Sequence, residues 1–124
     1  MVAPVEPIPP GPASRVLAVS WHRDGNLALV IRANGSLTPS RARTLRLESP
    51  PREVVNIAGI MAAFDQETVK GDGTLVTRVR LGHHPETSPP ELRLVLDLAA
   101  PSTQVTAVDV SGASVRLTLA GSGR

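Results

Sequence analysis

The sequence predicts an all-β fold: a β-sandwich of two packed, mainly antiparallel sheets related by an internal pseudo-repeat. Three observations carry that prediction. Short segments rich in Val and Leu recur between turn signals. No two of them are separated by the helix of roughly 10 residues that a parallel crossover needs. A seven-residue phrase is written twice, as Arg-Glu-Val-Val-Asn-Ile-Ala from Arg52 and as Arg-Leu-Val-Leu-Asp-Leu-Ala from Arg93.

The material for a core is narrow. Aromatic residues make up 2% of the 124 and comprise only Trp21 and Phe64, so packing falls to Val, Leu, Ile and Ala. Small aliphatic side chains suit sheets stacked face to face. A chain of this length forms one domain and buries roughly two-thirds of its unfolded surface without metals or disulfides. The pI of about 10.4 accompanies a formal net charge of only +2. With one Lys, no Tyr and no Cys, almost nothing titrates between neutrality and the Arg range, so the high pI is not a dense positive field. A single-strand nucleic-acid binder also wants aromatics interleaved with basic residues, and no nucleic acid is expected as a partner. The lack of Cys excludes disulfides, thiolate nucleophiles and Cys-based zinc sites. No apolar run approaches the roughly 20 residues of a membrane helix, and no membrane insertion by this domain is expected. The N-terminus lacks the basic and apolar regions of a secretory signal, so if the protein is exported its signal lies outside this chain.

Residues 1–13 include Pro4, Pro7, Pro9, Pro10 and Pro12 and read as an extended linker or tail, with a recognition peptide for a proline-binding partner as the alternative. The domain proper is expected over 14–120, with 121–124 a second tail. Strands are predicted at 16–20 and 27–33, after which Asn34-Gly35 tolerates the positive φ of a tight hairpin. A third strand, 44–48, ends at Pro50-Pro51, and a fourth covers 53–58. The segment 59–73 breaks the rhythm: a single helical turn is expected around residues 61–64, and Gly71-Asp72-Gly73 makes a turn. Strands resume at 75–81, 92–99, 105–110 and 115–119, the last two joined by a hairpin turn at Ser111-Gly112-Ala113-Ser114. The count is eight strands in two sets of four, read in the same order.

Alternation along a strand places Arg52, Val54 and Asn56 on one face and Val55 and Ile57 on the other. In the second copy Arg93, Val95 and Asp97 share a face, opposite Leu94, Leu96 and Leu98. Positions four apart on a strand lie roughly 13 Å from each other, so Arg93 and Asp97 do not pair directly and each looks to a neighbouring strand or to solvent. Cross-strand salt bridges and a ligand-facing role are both open for these residues. Arg78 and Arg80 emerge together on one face of their strand. With Arg93 or Arg52 they form a set able to grip carboxylates through forked hydrogen bonds, or a solvated Arg-rich face.

Upstream of the first copy stands Leu45-x-Leu47-x-x-Pro50-Pro51-Arg52, and upstream of the second Val79-Arg80-Leu81-Gly82-His83. In these motifs and their order the sequence resembles the AMIN domain, a module of N-acetylmuramoyl-L-alanine amidases and pilus-type secretins. The matching positions cover most of residues 16–119. The resemblance implies a β-sandwich with no catalysis and no cofactor. It also implies a periplasmic targeting role through peptidoglycan, or through an envelope protein partner in a secretin or secretion assembly. A secretin parent is favoured over an amidase, because the Pro-rich lead suits a multi-domain chain. The first copy departs from the family pattern with Asn56 in place of Asp and with the charged Glu53, so a role needing a carboxylate would rest on Asp97. The ligand-binding candidates are therefore Arg93, Asp97, Arg80, Arg78, Arg52 and Asn56, with the Arg93 copy the more faithful.

Other candidates read as structural. His83-His84-Pro85-Glu86 is taken as a surface loop, since adjacent His side chains diverge in extended chain and further ligands are few. Ser111 and Ser114 sit in a turn without a positioned base, and no catalytic residue is assigned. Trp21 is read as closing one end of an aromatic-poor core, with stacking on a sugar as the alternative.

Overall fold

Strand alternation sorts the apolar residues to one face of each strand, and the fold follows from burying those faces against each other. The structure is a computed structural model that describes residues 12–121; the Pro-rich stretch 1–11 and the tail 122–124 lie outside the described residues. The strands are β1 (Val16–Asp24), β2 (Asn26–Ala33), β3 (Ala42–Leu47), β4 (Arg52–Ala58), β5 (Thr68–Lys70), β6 (Val76–His84), β7 (Glu91–Leu98), β8 (Gln104–Ser111) and β9 (Ser114–Ala120), with one 3₁₀ turn at Pro39–Arg41. They form a four-stranded sheet in the order β1-β2-β9-β8 and a five-stranded sheet in the order β3-β4-β7-β6-β5, and every pairing is antiparallel.

The predicted β-sandwich is therefore present, with three differences in its parts. The ninth strand, β5, lies inside the segment expected to be irregular. The helical turn expected at 61–64 does not form: Met61 N–H donates to Ser14 O at 2.8 Å, and Ile60 is fully buried. Tertiary bonds claim the backbone that a lone helical turn would have to satisfy locally. Asn34-Gly35 is not a hairpin, because β2 pairs with β1 and β9 and the chain then crosses to the other sheet. Asn34 instead clamps the strand end, its Oδ1 accepting from Ser14 N and Arg15 N at 2.9 and 3.0 Å. The β1–β2 hairpin turns at Gly25 (φ 81°), and the predicted 111–114 hairpin turns at Gly112 (φ 60°), both in the region that glycine occupies without strain.

The pseudo-repeat is also laid out differently from a same-order duplication. Strands β1 to β4 give first a hairpin to the four-stranded sheet and then one to the five-stranded sheet; β6 to β9 visit the sheets in the reverse order. Each half still supplies one central strand to each sheet. The two copies of the phrase are β4 and β7, side by side.

The core lies between the sheets. Leu29, Ile31, Val115, Leu117 and Leu119 from one sheet meet Val55, Ile57, Val79, Leu92, Leu94 and Leu96 from the other, all at most 2% exposed. Ala13, at the end of the Pro-rich stretch, joins this cluster. One open side of the sandwich is closed by Trp21 on β1, which packs on the core and donates its indole N–H to Lys70 O on β5 at 2.9 Å. The opposite side is closed by Arg46 on β3, whose guanidinium donates to Thr103 O (2.7 Å) and Pro101 O (2.8 Å) ahead of β8. Glu53, opposite Arg46 in register, is buried on the inner face of β4. Burial and nearby Glu48 push its pKa up, while the Arg46 charge pulls it down. Asp72 holds the turn into β6, accepting from Leu75 N at 3.0 Å and Val76 N at 2.7 Å.

Leu94 on central strand β7 is fully buried, so Leu94→Ala is expected to cost about 2–5 kcal/mol. Leu45→Ala, at a position 56% exposed, is expected to stay within about 0.5 kcal/mol. Urea unfolding midpoints of the two variants check this difference.

Candidate functional site

The outer face of the five-stranded sheet is set by register. Reading from β3 across β4 and β7 to β6, one row is Arg43, Asn56, Arg93 and Gly82. The next is Leu45, Val54, Val95 and Arg80, with Thr68 of β5 beyond. The third is Leu47, Arg52, Asp97 and Arg78, with Lys70 beyond. All six residues singled out in the sequence fall on this face. Arg52, Asn56, Arg80 and Arg93 line a shallow depression of about 330 Å³ whose floor is Leu45, Leu47, Val54 and Val95. Arg78 and Asp97 stand beside it.

The floor is where sequence reasoning fell short. Val54 and Val95 share a face with the Arg residues, and that parity was visible. What alternation cannot supply is that β3 lies next to β4 with Leu45 and Leu47 turned outward and Arg46 turned inward. Arg43 comes to the same face, outside the depression, for the same reason. Val54 is only 5% exposed on a solvent-facing surface, consistent with the long stems of neighbouring Arg side chains covering it.

The polar contacts divide the Arg residues into two groups. Asp97 is shared by two guanidiniums: Arg78 Nε donates to it at 2.8 Å, and Arg80 donates at 3.0 Å through Nε and at 2.8 Å through its terminal nitrogen. Partial burial alone would raise the Asp97 pKa; the hydrogen bonds and charges of Arg80 and Arg78 outweigh it and hold the carboxyl below the usual aspartate range. On the other copy, Arg93 Nε donates to Asn56 Oδ1 at 2.8 Å and approaches Glu91 at 3.6 Å. Asn56 thus acts as a neutral acceptor where its counterpart Asp97 is an anion. Arg52 lies opposite Asp97 in register, yet it donates only through Nε, to Pro50 O at 3.2 Å. Among the described residues Arg52 and Arg43 form no ion pair. On the strands this face sets six cations (Arg43, Arg52, Lys70, Arg78, Arg80 and Arg93) against the two carboxylates Glu91 and Asp97. Its excess of four positive charges is twice the formal net charge of the whole chain, +2.

The remaining candidates lie elsewhere. The His pair is part of β6 and not a loop: His83 continues the inward series and shares a 2.8 Å hydrogen bond with Ile60 O, while His84 Nδ1 lies 3.0 Å from Glu86. Among the described residues no group of three or more His, Cys, Asp or Glu side chains is placed to hold a metal. Ser111 and Ser114 face each other across the β8–β9 turn. No helix among the described residues is long and apolar enough to cross a membrane.

A two-sheet sandwich with an Arg-rimmed, apolar-floored depression on one outer face has the form of a binding module. The chain belongs to the AMIN domain family, whose model matches residues 18–120. AMIN domains are non-catalytic targeting modules that bind peptidoglycan and are typical of periplasmic and cell-envelope proteins. Comparison with curated proteins and with solved structures finds no match.

Asp97 offers a direct test of the electrostatics. Because its folded pKa is depressed, the stability it contributes is full above the unfolded aspartate pKa of about 3.9 and is lost as pH falls through the lower folded value. Wild type is therefore expected to be more stable than Asp97→Asn near neutral pH, with the gap narrowing below about pH 4. Urea midpoints measured between about pH 6 and about pH 3 check this; a gap that does not change with pH would show that the charge of Asp97 contributes nothing.

Proposed function

We propose that this domain localises a longer envelope protein in the periplasm by binding peptidoglycan on the outer face of its five-stranded sheet. The observation that carries this reading is the depression rimmed by Arg52, Arg80 and Arg93 over a floor of Leu45, Val54 and Val95. Peptidoglycan stem peptides present carboxylates spaced along a short chain that also carries alanine methyl groups. Forked guanidiniums match carboxylates two bonds at a time, and the apolar floor accepts the methyl groups.

Roles within the set follow from what each side chain already holds. Arg52 keeps its terminal nitrogens available and is the first anchor for an incoming carboxylate. Arg93 is aimed by Asn56. Asp97 accepts from Arg78 and Arg80 and so orients them; it is a positioning residue and does not itself contact an anionic ligand. Solvent-exposed ion pairs contribute roughly 0–1 kcal/mol each. A single contact with this face is therefore weak and salt-sensitive. The parent is a pilus-type secretin in preference to a cell-wall amidase, since the Pro-rich lead suits a multi-domain chain.

Co-sedimentation with purified sacculi tests the reading. Wild type is expected to pellet at low salt and to be released as salt rises, and Arg93→Glu and Arg80→Glu are each expected to reduce pelleting several-fold. Failure of wild type to pellet at low salt overturns the proposal and leaves an envelope protein as the partner. Full pelleting by both variants moves the site off this face.

A further inference from the structure

Beyond the Arg-rimmed depression, a hollow of about 500 Å³ opens between the edge of β6 and the segment 63–67, and Arg80 lines both. We propose that this hollow is a second subsite that takes an N-acetylated amino sugar of the glycan strand, so that the domain engages sugar and stem peptide together. The inference rests on the peptidoglycan reading above and deepens it.

Three features of the hollow match that chemistry. Its wall includes Phe64, half-buried and one of two aromatic side chains in the chain, which presents apolar surface to the C–H face of a pyranose. Its volume lies within the roughly 300–1,000 Å³ of small-ligand sites. Its back is a strand edge. Leu81 N–H donates to Glu67 O at 2.9 Å, and no residue of β5 lies beyond Thr68. In an antiparallel ladder the main-chain groups of alternate residues point to the same side, so the N–H and C=O of His83 face the side from which segment 63–67 has departed. An acetamido group is itself an amide, one donor and one acceptor, and adds to a strand edge as another strand would.

Gly82 joins the two subsites. It lies on the outer face opposite Arg93, and its missing side chain leaves the surface bare between that Arg and the hollow. A Cβ built at Gly82 would meet nothing nearer than His84 Nε2 at 3.7 Å, an ordinary contact, so a side chain is tolerated there by the fold. Neighbouring strands are roughly 4.8 Å apart, and a sugar joined to its peptide bridges β6 and β7 without stretching.

The test titrates the domain with three probes: the disaccharide GlcNAc-MurNAc, the tripeptide Ala-γ-Glu-diaminopimelate, and the two joined as the disaccharide-tripeptide. Wild type is expected to bind the joined probe roughly tenfold or more tighter than the tripeptide. Gly82→Val, which fills the passage, and Phe64→Leu, which keeps bulk but removes the ring, are each expected to reduce the joined probe to the tripeptide's level. Phe64→Leu, outside the peptide depression, should leave tripeptide binding unchanged, and for Gly82→Val the joined probe is compared with the tripeptide on the same variant. If Phe64→Leu lowers the thermal midpoint, Gly82→Val decides. A joined probe that binds no tighter than the tripeptide overturns the second subsite, as does a Gly82→Val variant that keeps the advantage; neither touches the peptide site. Absence of binding to all three probes overturns the peptidoglycan reading itself and this inference with it.

Discussion

Antiparallel pairing of β4 with β7 in the register that sets Val54 opposite Val95 governs both faces of the larger sheet. On the inner side it stacks Val55 against Leu94 and Ile57 against Leu92, at the centre of the core. On the outer side it sets Arg52 opposite Asp97 and Asn56 opposite Arg93. A slip of one residue would turn the leucines of β7 to solvent and the charged residues inward, so burial of four leucines on alternate positions enforces the polar arrangement on the other side. The depression inherits its layout from that packing constraint and needs little further specification.

Two identical Arg/acid pairs would follow if the copies were perfect, and the departures explain why they do not form. In one pair the acceptor is Asn56, which satisfies Arg93 without neutralising it. In the other the acceptor is Asp97, but β6 brings Arg78 and Arg80 to the same carboxylate and leaves Arg52 facing an oxygen pair already occupied. The face therefore retains positive charge at both ends of the apolar floor. A lysine at these positions would keep the charge but lose the fork that lets Arg80 hold both oxygens of Asp97.

Much of the strand layout was legible because it depends on short-range signals. Period-two alternation located β4, β7 and β9 to within a residue or two, and the same parity put all six candidate residues on their faces. What escaped depends on partners distant in sequence. The Asn34-Gly35 pair has hairpin chemistry, yet its side chain is spent on the backbone of residues 14 and 15 and the chain changes sheets. The segment at 61–64 has a helical composition, but Met61 N–H bonds to Ser14 O and the carbonyl of the preceding Ile60 to His83. Leu45 and Leu47 resemble core residues in isolation; only their place beside β4 reveals them as the floor of a site. The doubled phrase marked the right two strands, while their adjacency in one sheet required the fold.

The single indole of Trp21 joins the edge of one sheet to the edge of the other through the Lys70 carbonyl, in a chain with no tyrosine. The molecule thus contains one ultraviolet chromophore of consequence, placed where the two layers meet. Its emission reports on the seam between the sheets with no background from other fluorophores. Because β5 also borders the hollow beside Phe64, rearrangement of that edge would be written into the same optical signal.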